Sequence, residues 1–258
     1  MLLRVGIDST TGGFLSPLFK NGKFVYIPIP DAKRESNELT NYSRFGKYVP
    51  KDVFYFKDKQ KEWELEYNEA VLHHDPNFEC MTYGDPTNKG RNLLKLKKND
   101  YLIFWQSFYP FTKDYPSNSL KVIKKIQDGC YKVMAVIGYF RFVEDPIKCW
   151  ERDEKEIKNK FKKNAHILRK EYDRNTVIIN GKCPDSKKLL KAIPLAEDYD
   201  KKVGGYVGAE YLKDFGLNNK RFHQSSDIHF LEGLKAIEFI KFINLEPNKK
   251  IFDNIFKD

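Results

Sequence analysis

The stretch Leu93–Phe111, "LLKLKKNDYLIFWQSFYPF", changes character at Asn99-Asp100: lysines alternate with leucines before this pair, and an almost unbroken apolar and aromatic run follows it. A polar Asn-Asp step marks a turn, and the run from Tyr101 to Phe108 behind it reads as a buried strand. Its partner is "YKVMAVIGYFRFVED", residues 131–145, rich in Val, Ile, Tyr and Phe. Gly138 within it marks a bulge or a close backbone approach. These two strands are expected to form the centre of a sheet. Strand period two sets Trp105 and Ser107 opposite Phe104, Gln106 and Phe108, so one face is expected to be core and the other to shape a pocket.

On the N-terminal side, "VGIDSTTGGF" (residues 5–14) is a short apolar strand ending in Asp8, hydroxyl side chains and glycines. Such a turn grips a phosphate or a metal, or simply turns the chain. "LFKNGKFVYIPIP" (residues 18–30) places Asn21-Gly22 between Phe19 and Phe24 and predicts a two-residue hairpin. Residues 31–50 are polar and aperiodic and read as surface loop. "HHDPNFECMTYGDPTNKGRN" (residues 73–92), with two Asp-Pro steps and two glycines, reads as a second long loop, of the kind that carries function.

On the C-terminal side, residues 147–173 place Trp150, Ile157, Phe161 and Ile167 among dense charges, which predicts an exposed helix ending before Asn164. Asn180-Gly181 predicts a hairpin leading into "LLKAIPLAE". Leu231, Leu234, Ile237, Ile240 and Phe242 fall near helical spacing before Pro247, so a C-terminal helix is expected, with Ser225 and Ser226 available to cap it. The resulting class is α+β, with a mixed, mainly antiparallel sheet, peripheral helices and a C-terminal helix. One domain over 1–258 is expected, with a subdivision into 1–90 (strand, hairpin and loops) and 91–258 (core and helices) as the alternative.

The 258 residues carry 41% hydrophobic and 15% aromatic side chains, which excludes a disordered or fibrous chain. A formal charge of +10 favours polyanionic partners such as nucleic acid or nucleotides, although lysine-rich, isoleucine-rich usage also has non-functional origins. Cys80, Cys130, Cys149 and Cys183 form no CxxC pair, which argues against a structural zinc site. No basic leader precedes an apolar core and no window reaches the roughly 18 apolar residues of a membrane span, so a cytoplasmic protein with no membrane partner is expected. The number of subunits is not encoded in any feature of the sequence.

Four groups of residues could carry chemistry. The Gly-Ile-Asp-Ser-Thr-Thr-Gly turn with its following hairpin resembles the first phosphate loop of actin-like ATPases, but the second phosphate loop and internal duplication of that fold have no counterpart here. His73, His74, Asp75, Glu79 and Asp85 gather metal-ligand types in one segment without a spacing such as HExxH. Loop anchoring is therefore expected, no cofactor is predicted, and a divalent metal is the alternative. "KNDYLIFWQSFYP" with "VIGYFRF" resembles the core strands of PUA-like barrels, including EVE and ASCH domains. That likeness implies a PUA-like β-barrel core in which aromatics stack a base. Finally, "NAHILRK" sets His166 near Arg169, a pair suited to a phosphate or to acid chemistry.

Taken in order, "RVGIDSTTGGFLSPLFKNGKFVYIPIP", "HHDPNFECMTYGD", "GRNLLKLKKNDYLIFWQSF", "VIGYFRF", "NAHILR" and "KLLKAIPLAE" resemble the third nucleotide-modification-associated domain family. The resemblance includes a His-x-Asp-Pro register, His73-x-Asp75-Pro76. It implies a prokaryotic or phage context in which modified bases are made or sensed. The expected function is binding of a nucleotide or nucleic acid through recognition of a base, modified or unmodified, in nucleic-acid modification or defence. The alternative is a metal- or acid/base-dependent enzyme that modifies or hydrolyses a nucleotide. Residues expected to line the site are Asp8, Thr10, Thr11, His73, Asp75, Tyr83, Asp85, Arg91, Trp105, His166 and Arg169, with Asp8, Asp75, Asp85 and His166 as the catalytic candidates.

Overall fold

The computed structural model describes residues 1–6, 15–31, 70–111, 132–169, 173–196, 199–200, 205–222 and 228–245. Its strands are β1 (Leu2–Arg4), β2 (Ser16–Phe19), β3 (Ile29–Asp31), β4 (Val71–His73), β5 (Thr82–Asp85), β6 (Tyr101–Phe111), β7 (Val133–Arg141), β8 (Ile147–Lys148), β9 (Val177–Asn180), β10 (Lys187–Ala196), β11 (Tyr199–Asp200) and β12 (Gly205–Tyr206). Among the described residues three α-helices join them: α1 (Asn88–Leu93), α2 (Glu154–Lys160) and α3 (Gly233–Asn244). The class is α+β, as the sequence predicts, and β6 pairs antiparallel with β7 at the centre of the main sheet.

That sheet runs β1-β6-β7-β10, with β2 also on β6. Both β1 and β2 lie parallel to β6, β1 against Ile103–Trp105 and β2 against Phe108–Phe111. A second sheet, β5-β9-β8, is antiparallel. The described strands form no closed barrel, so the PUA-like likeness stops at the strand pattern. These two sheets each contain strands from both sides of residue 90, whereas the two-stranded β3-β4 and β11-β12 sheets do not.

Both faces of β6 are core, which explains why its sequence is an apolar run rather than an alternation. Leu102, Phe104 and Phe108 pack with Tyr83, Leu93, Val177 and Ile179 between the two sheets. Ile103 and Trp105 pack on the opposite face with Phe222, Phe239 and Ile243, beneath α3. The expectation of one free, pocket-forming face is thus corrected: the C-terminal third of the chain covers it. Strand β7 holds to this scheme only by slipping register. Phe104 faces Gly138 while Trp105 faces Val136, so Ile137 is an extra residue. Val136 and Tyr139, of opposite parity, then reach the same face. Gly138 is required there, because a Cβ would lie 2.5 Å from Phe78 and 2.6 Å from the Lys187 carbonyl.

Elsewhere local chemistry modifies the expected elements. The Asn-Gly hairpin forms, but as a three-residue turn: Gly22 N–H donates to Phe19 O and Phe19 N–H to Lys23 O, with Gly22 at φ +80°. Asn180-Gly181 makes no hairpin, since β9 pairs with β5 and β8 while β10 pairs with β7. There the chain crosses between sheets, and Gly181 is needed for close packing on Ser186 and Phe140. The expected loop 73–92 contains β5 and α1, because Asp75 and Thr87 supply side-chain acceptors that tie polar residues into regular structure. α2 starts on Asp153, whose side chain accepts from two backbone amides. α3 starts after Glu232 without a side-chain cap, not from the serines, and residues 223–227 lie outside the described residues. No helix among the described residues is long and apolar enough to cross a membrane.

Candidate metal centre

Three segments far apart in sequence meet where β4, β5 and the turn after α2 converge. β3 and β4 pair with Ile29 opposite His73 and Asp31 opposite Val71, which puts Asp31 and His73 diagonally on one face of this ribbon. Asp31 Oδ2 lies 3.2 Å from His73 Nδ1, so the imidazole carries its proton on Nδ1 and presents the Nε2 lone pair inward. Immediately after β4 the chain tightens, with Asp75 N–H donating to His73 O at 2.8 Å. The Asp75 carboxylate then accepts from Gly84 N–H of β5 at 3.1 Å.

The third segment is pinned from below. Phe161 and Ile167 are buried against Ile178 and Ile157, which anchors both ends of the turn carrying Asn164-Ala165-His166. Asn164 Oδ1 accepts from His166 N–H, its amide donates to Thr82, and Asn77 donates to Lys163 O. Gly84 must lack a side chain for this turn to sit down: a Cβ would meet His166 at 3.1 Å, Asn164 at 3.2 Å and Thr176 at 3.3 Å. This is the physical content of the Tyr-Gly-Asp and Asn-Ala-His segments.

The outcome is a buried cluster of two imidazoles and one carboxylate. His166 Nε2 is 3.1 Å from Asp75 Oδ2 and 3.2 Å from His73 Nε2, while His73 Nε2 is 3.9 Å from Asp75 Oδ2. With metal–ligand bonds of about 2.1 Å, neighbouring ligand atoms lie about 3.0 Å apart in an octahedron and about 3.4 Å in a tetrahedron. Two of the three edges fall in that range and the third exceeds it by about half an ångström, so the donor set fits a divalent cation with a small closure. Burial lowers the pKa of His73 to about 4 against the opposing Asp31 hydrogen bond, and raises that of Asp75 to about 6 against the His166 contact. At neutral pH the cluster therefore holds a neutral His73 and an ionised Asp75, the protonation states a cation requires. His73 has an orienting carboxylate in Asp31, whereas His166 Nδ1 has no hydrogen-bond partner among the described residues.

The cluster opens on a hollow of about 400 Å³ whose wall also includes Gly6, Tyr83, Asp85, Thr87, Arg4, Lys89 and Arg169. Its cationic members are partly engaged: Arg169 reaches Asp31 at 3.7 Å, Lys89 donates to Arg4 O at 3.2 Å, and Arg4 donates to Ser107. They leave a positively charged rim around a metal-ligand cluster, a combination suited to a phosphate-bearing substrate.

Of the residues singled out by sequence, His73, Asp75, Tyr83, Asp85, His166 and Arg169 come together here. Asp85 is structural: one oxygen accepts from Thr87 N–H and hydroxyl, the other from Tyr83 at 3.0 Å, which fixes the entry to α1. Trp105 lies on the far face of the main sheet, fully buried edge-on to Phe222, where no ligand stacks on it. Arg91 is exposed on α1 and does not line the hollow; Lys89, two residues earlier, does. Asp8, Thr10 and Thr11 lie outside the described residues. Sequence reasoning missed Asp31, read as the start of a loop, and the role of Gly84. The signal for Asp31 was its place directly after the Ile-Pro pair.

The pattern described as nucleotide modification associated domain 3 matches residues 1–228. The chain belongs to the nucleotide modification associated domain 3 family. The matched span includes every residue of the cluster and its rim, from Arg4 to Arg169, and ends before α3. No curated protein and no solved structure matches this family member.

Proposed function

We propose that this protein is a divalent-metal-dependent enzyme that modifies a nucleotide, with His73, Asp75 and His166 holding the cation. The observation that carries the reading is the convergence of three buried donor atoms at the end of a hollow edged by Lys89 and Arg169. A cation held by two histidines and one carboxylate would keep coordination positions open and would supply Lewis acidity beside the substrate. Lys89 and Arg169 orient the substrate phosphate. Asp31 holds the His73 tautomer, and the buried Tyr83, whose hydroxyl donates to Asp85, backs the wall of the hollow.

A protein that only recognises a modified base would be expected to offer an aromatic slot. Trp105, the residue expected to stack a base, is enclosed in the core, and the three converging donor atoms favour the enzymatic reading. The test begins with metal content and calorimetric titration of the metal-stripped protein with Mn²⁺, Fe²⁺, Co²⁺ and Zn²⁺. The expected result is one equivalent bound by the wild type and none by H73A or H166A. Nucleosides from DNA and RNA incubated with the loaded protein are then compared by mass spectrometry. Stoichiometric binding that survives both substitutions would refute the assignment.

A further inference from the structure

The amide of Gln106 and the hydroxyl of Ser107 sit side by side in the apolar run of β6, and their surroundings differ. Ser107 Oγ accepts from Arg4 at 3.1 Å and donates to Met134 Sδ at 2.9 Å. Gln106 is fully buried, yet neither its Oε1 nor its Nε2 has a hydrogen-bond partner among the described residues. A carboxamide left so in an apolar interior is unfavourable, because both of its polar ends have lost water and gained nothing in exchange. On one edge β6 pairs with β7; on the other, β1 accompanies it as far as Trp105 and β2 resumes at Phe108. Gln106 therefore lies where the neighbouring lane is interrupted, just past the bond from Val5 N–H to Trp105 O. Gly6, the next residue, both lines the hollow and touches the amide: a Cβ on it would lie 2.2 Å from Gln106 Oε1, and its φ is +79°. Strand parity puts the Gln106 side chain on the face of Phe104 and Phe108, which is the face that meets Tyr83, a further wall residue of the hollow.

We infer that Gln106 is a base-reading residue of the hollow: its carboxamide pairs with the hydrogen-bonding edge of the nucleobase as substrate enters, and Gly6 is the piece of wall that yields. A carboxamide offers a donor and an acceptor side by side. That pair matches the amine and ring nitrogen of adenine or cytosine, or the N–H and carbonyl of guanine, uracil or thymine. Gly6 is suited to yielding because, without a Cβ, it passes between left- and right-handed backbone conformations at little cost. The hollow, at about 400 Å³, has the size of a site for one small molecule. Lys89 donates to Arg4 O, two residues before Gly6, so a cation for the phosphate stands beside the same short piece of wall. The inference rests on the reading of the chain as acting on nucleotides and deepens it, by making recognition of the base a property of this hollow.

The test compares the wild type with Gln106→Met, which keeps the length and approximate volume of the side chain and removes its amide. Both proteins are titrated calorimetrically, in the presence of Mn²⁺, with AMP, CMP, GMP and UMP, and with ribose 5-phosphate as the ligand that lacks a base. At least one nucleotide should bind the wild type more tightly than ribose 5-phosphate does. Q106M should weaken that nucleotide about 5- to 150-fold and leave ribose 5-phosphate binding and Mn²⁺ uptake unchanged. Without any ligand Q106M should melt about 2–6 °C above the wild type, since the unpaired amide is gone. A variant that melts below the wild type overturns the inference, because the amide is then satisfied within the free fold. So does an unchanged nucleotide affinity, or a wild type that prefers no nucleotide over ribose 5-phosphate. A wild type that takes up no Mn²⁺ yet loses its nucleotide preference in Q106M would instead remove the metal-dependent reading and leave this base site standing.

Discussion

Replacing Asp75 by Asn tests the cluster most directly, because the structure gives the change a sign that a purely structural carboxylate would not have. Burial raises the Asp75 pKa from 3.8 to about 6. Holding the group ionised in the folded state at neutral pH therefore costs on the order of 3 kcal/mol, at about 1.4 kcal/mol per unit. The Asn side chain has nearly the same shape and keeps a carbonyl to accept from Gly84 N–H. In EDTA at pH 7.5, D75N is expected to be more stable than the wild type by up to this amount. For a chain of this length that is a rise in Tm of about 6 °C. The sign with pH follows from the raised pKa: the gap is absent below about pH 4, where both the folded and unfolded wild type are protonated, grows through pH 4–6, and is constant above. Added Mn²⁺ or Zn²⁺ should reverse the order, stabilising the wild type and leaving D75N unmoved. Parallel thermal melts of the two proteins with and without metal measure all of this. A D75N protein that is less stable than the metal-free wild type, or that gains as much from metal, would refute the account of the cluster.

Asp31→Asn should lower metal affinity about 10- to 100-fold in calorimetric titrations by removing the carboxylate that orients His73, with the fold intact by circular dichroism. Metal affinity of the wild type should drop about tenfold per pH unit below pH 6, where Asp75 takes up a proton, and titrations in a series of buffers give that slope. In D75N the contribution of Asp75 that opposes His73 is gone. As pH is taken from 6.5 down to 4, D75N should therefore lose about 3 kcal/mol more stability than the wild type does, read from denaturant midpoints of the two proteins. Gly84→Ala places a methyl group 3.1 Å from His166 and should destabilise by about 1–3 kcal/mol while disturbing metal uptake. Wild-type Tm and uptake in this variant would show that the turn has room to yield.

The sequence by itself determined the elements whose cause is local. The Asn99-Asp100 turn, the β6–β7 pairing, the glycine bulge and the C-terminal helix are all written in short-range propensity and period. The His73-x-Asp75 and Asn164-Ala165-His166 motifs were legible as chemistry-bearing segments for the same reason. What the sequence did not determine is that neither face of β6 would remain free, that Asn180-Gly181 joins two sheets instead of turning a hairpin, or that Asp31 stands behind His73. Those outcomes depend on residues far apart in the chain: α3 burying Trp105, Gly84 lacking a Cβ beneath His166, and β3 pairing with β4 so that a loop-edge aspartate becomes a cross-strand neighbour. Composition and spacing identify groups able to bind a cation. Only the tertiary pairing of distant backbone segments brings their donor atoms to within about one ligand–ligand distance, because that separation is set by strand register and close packing rather than by any local preference of the chain.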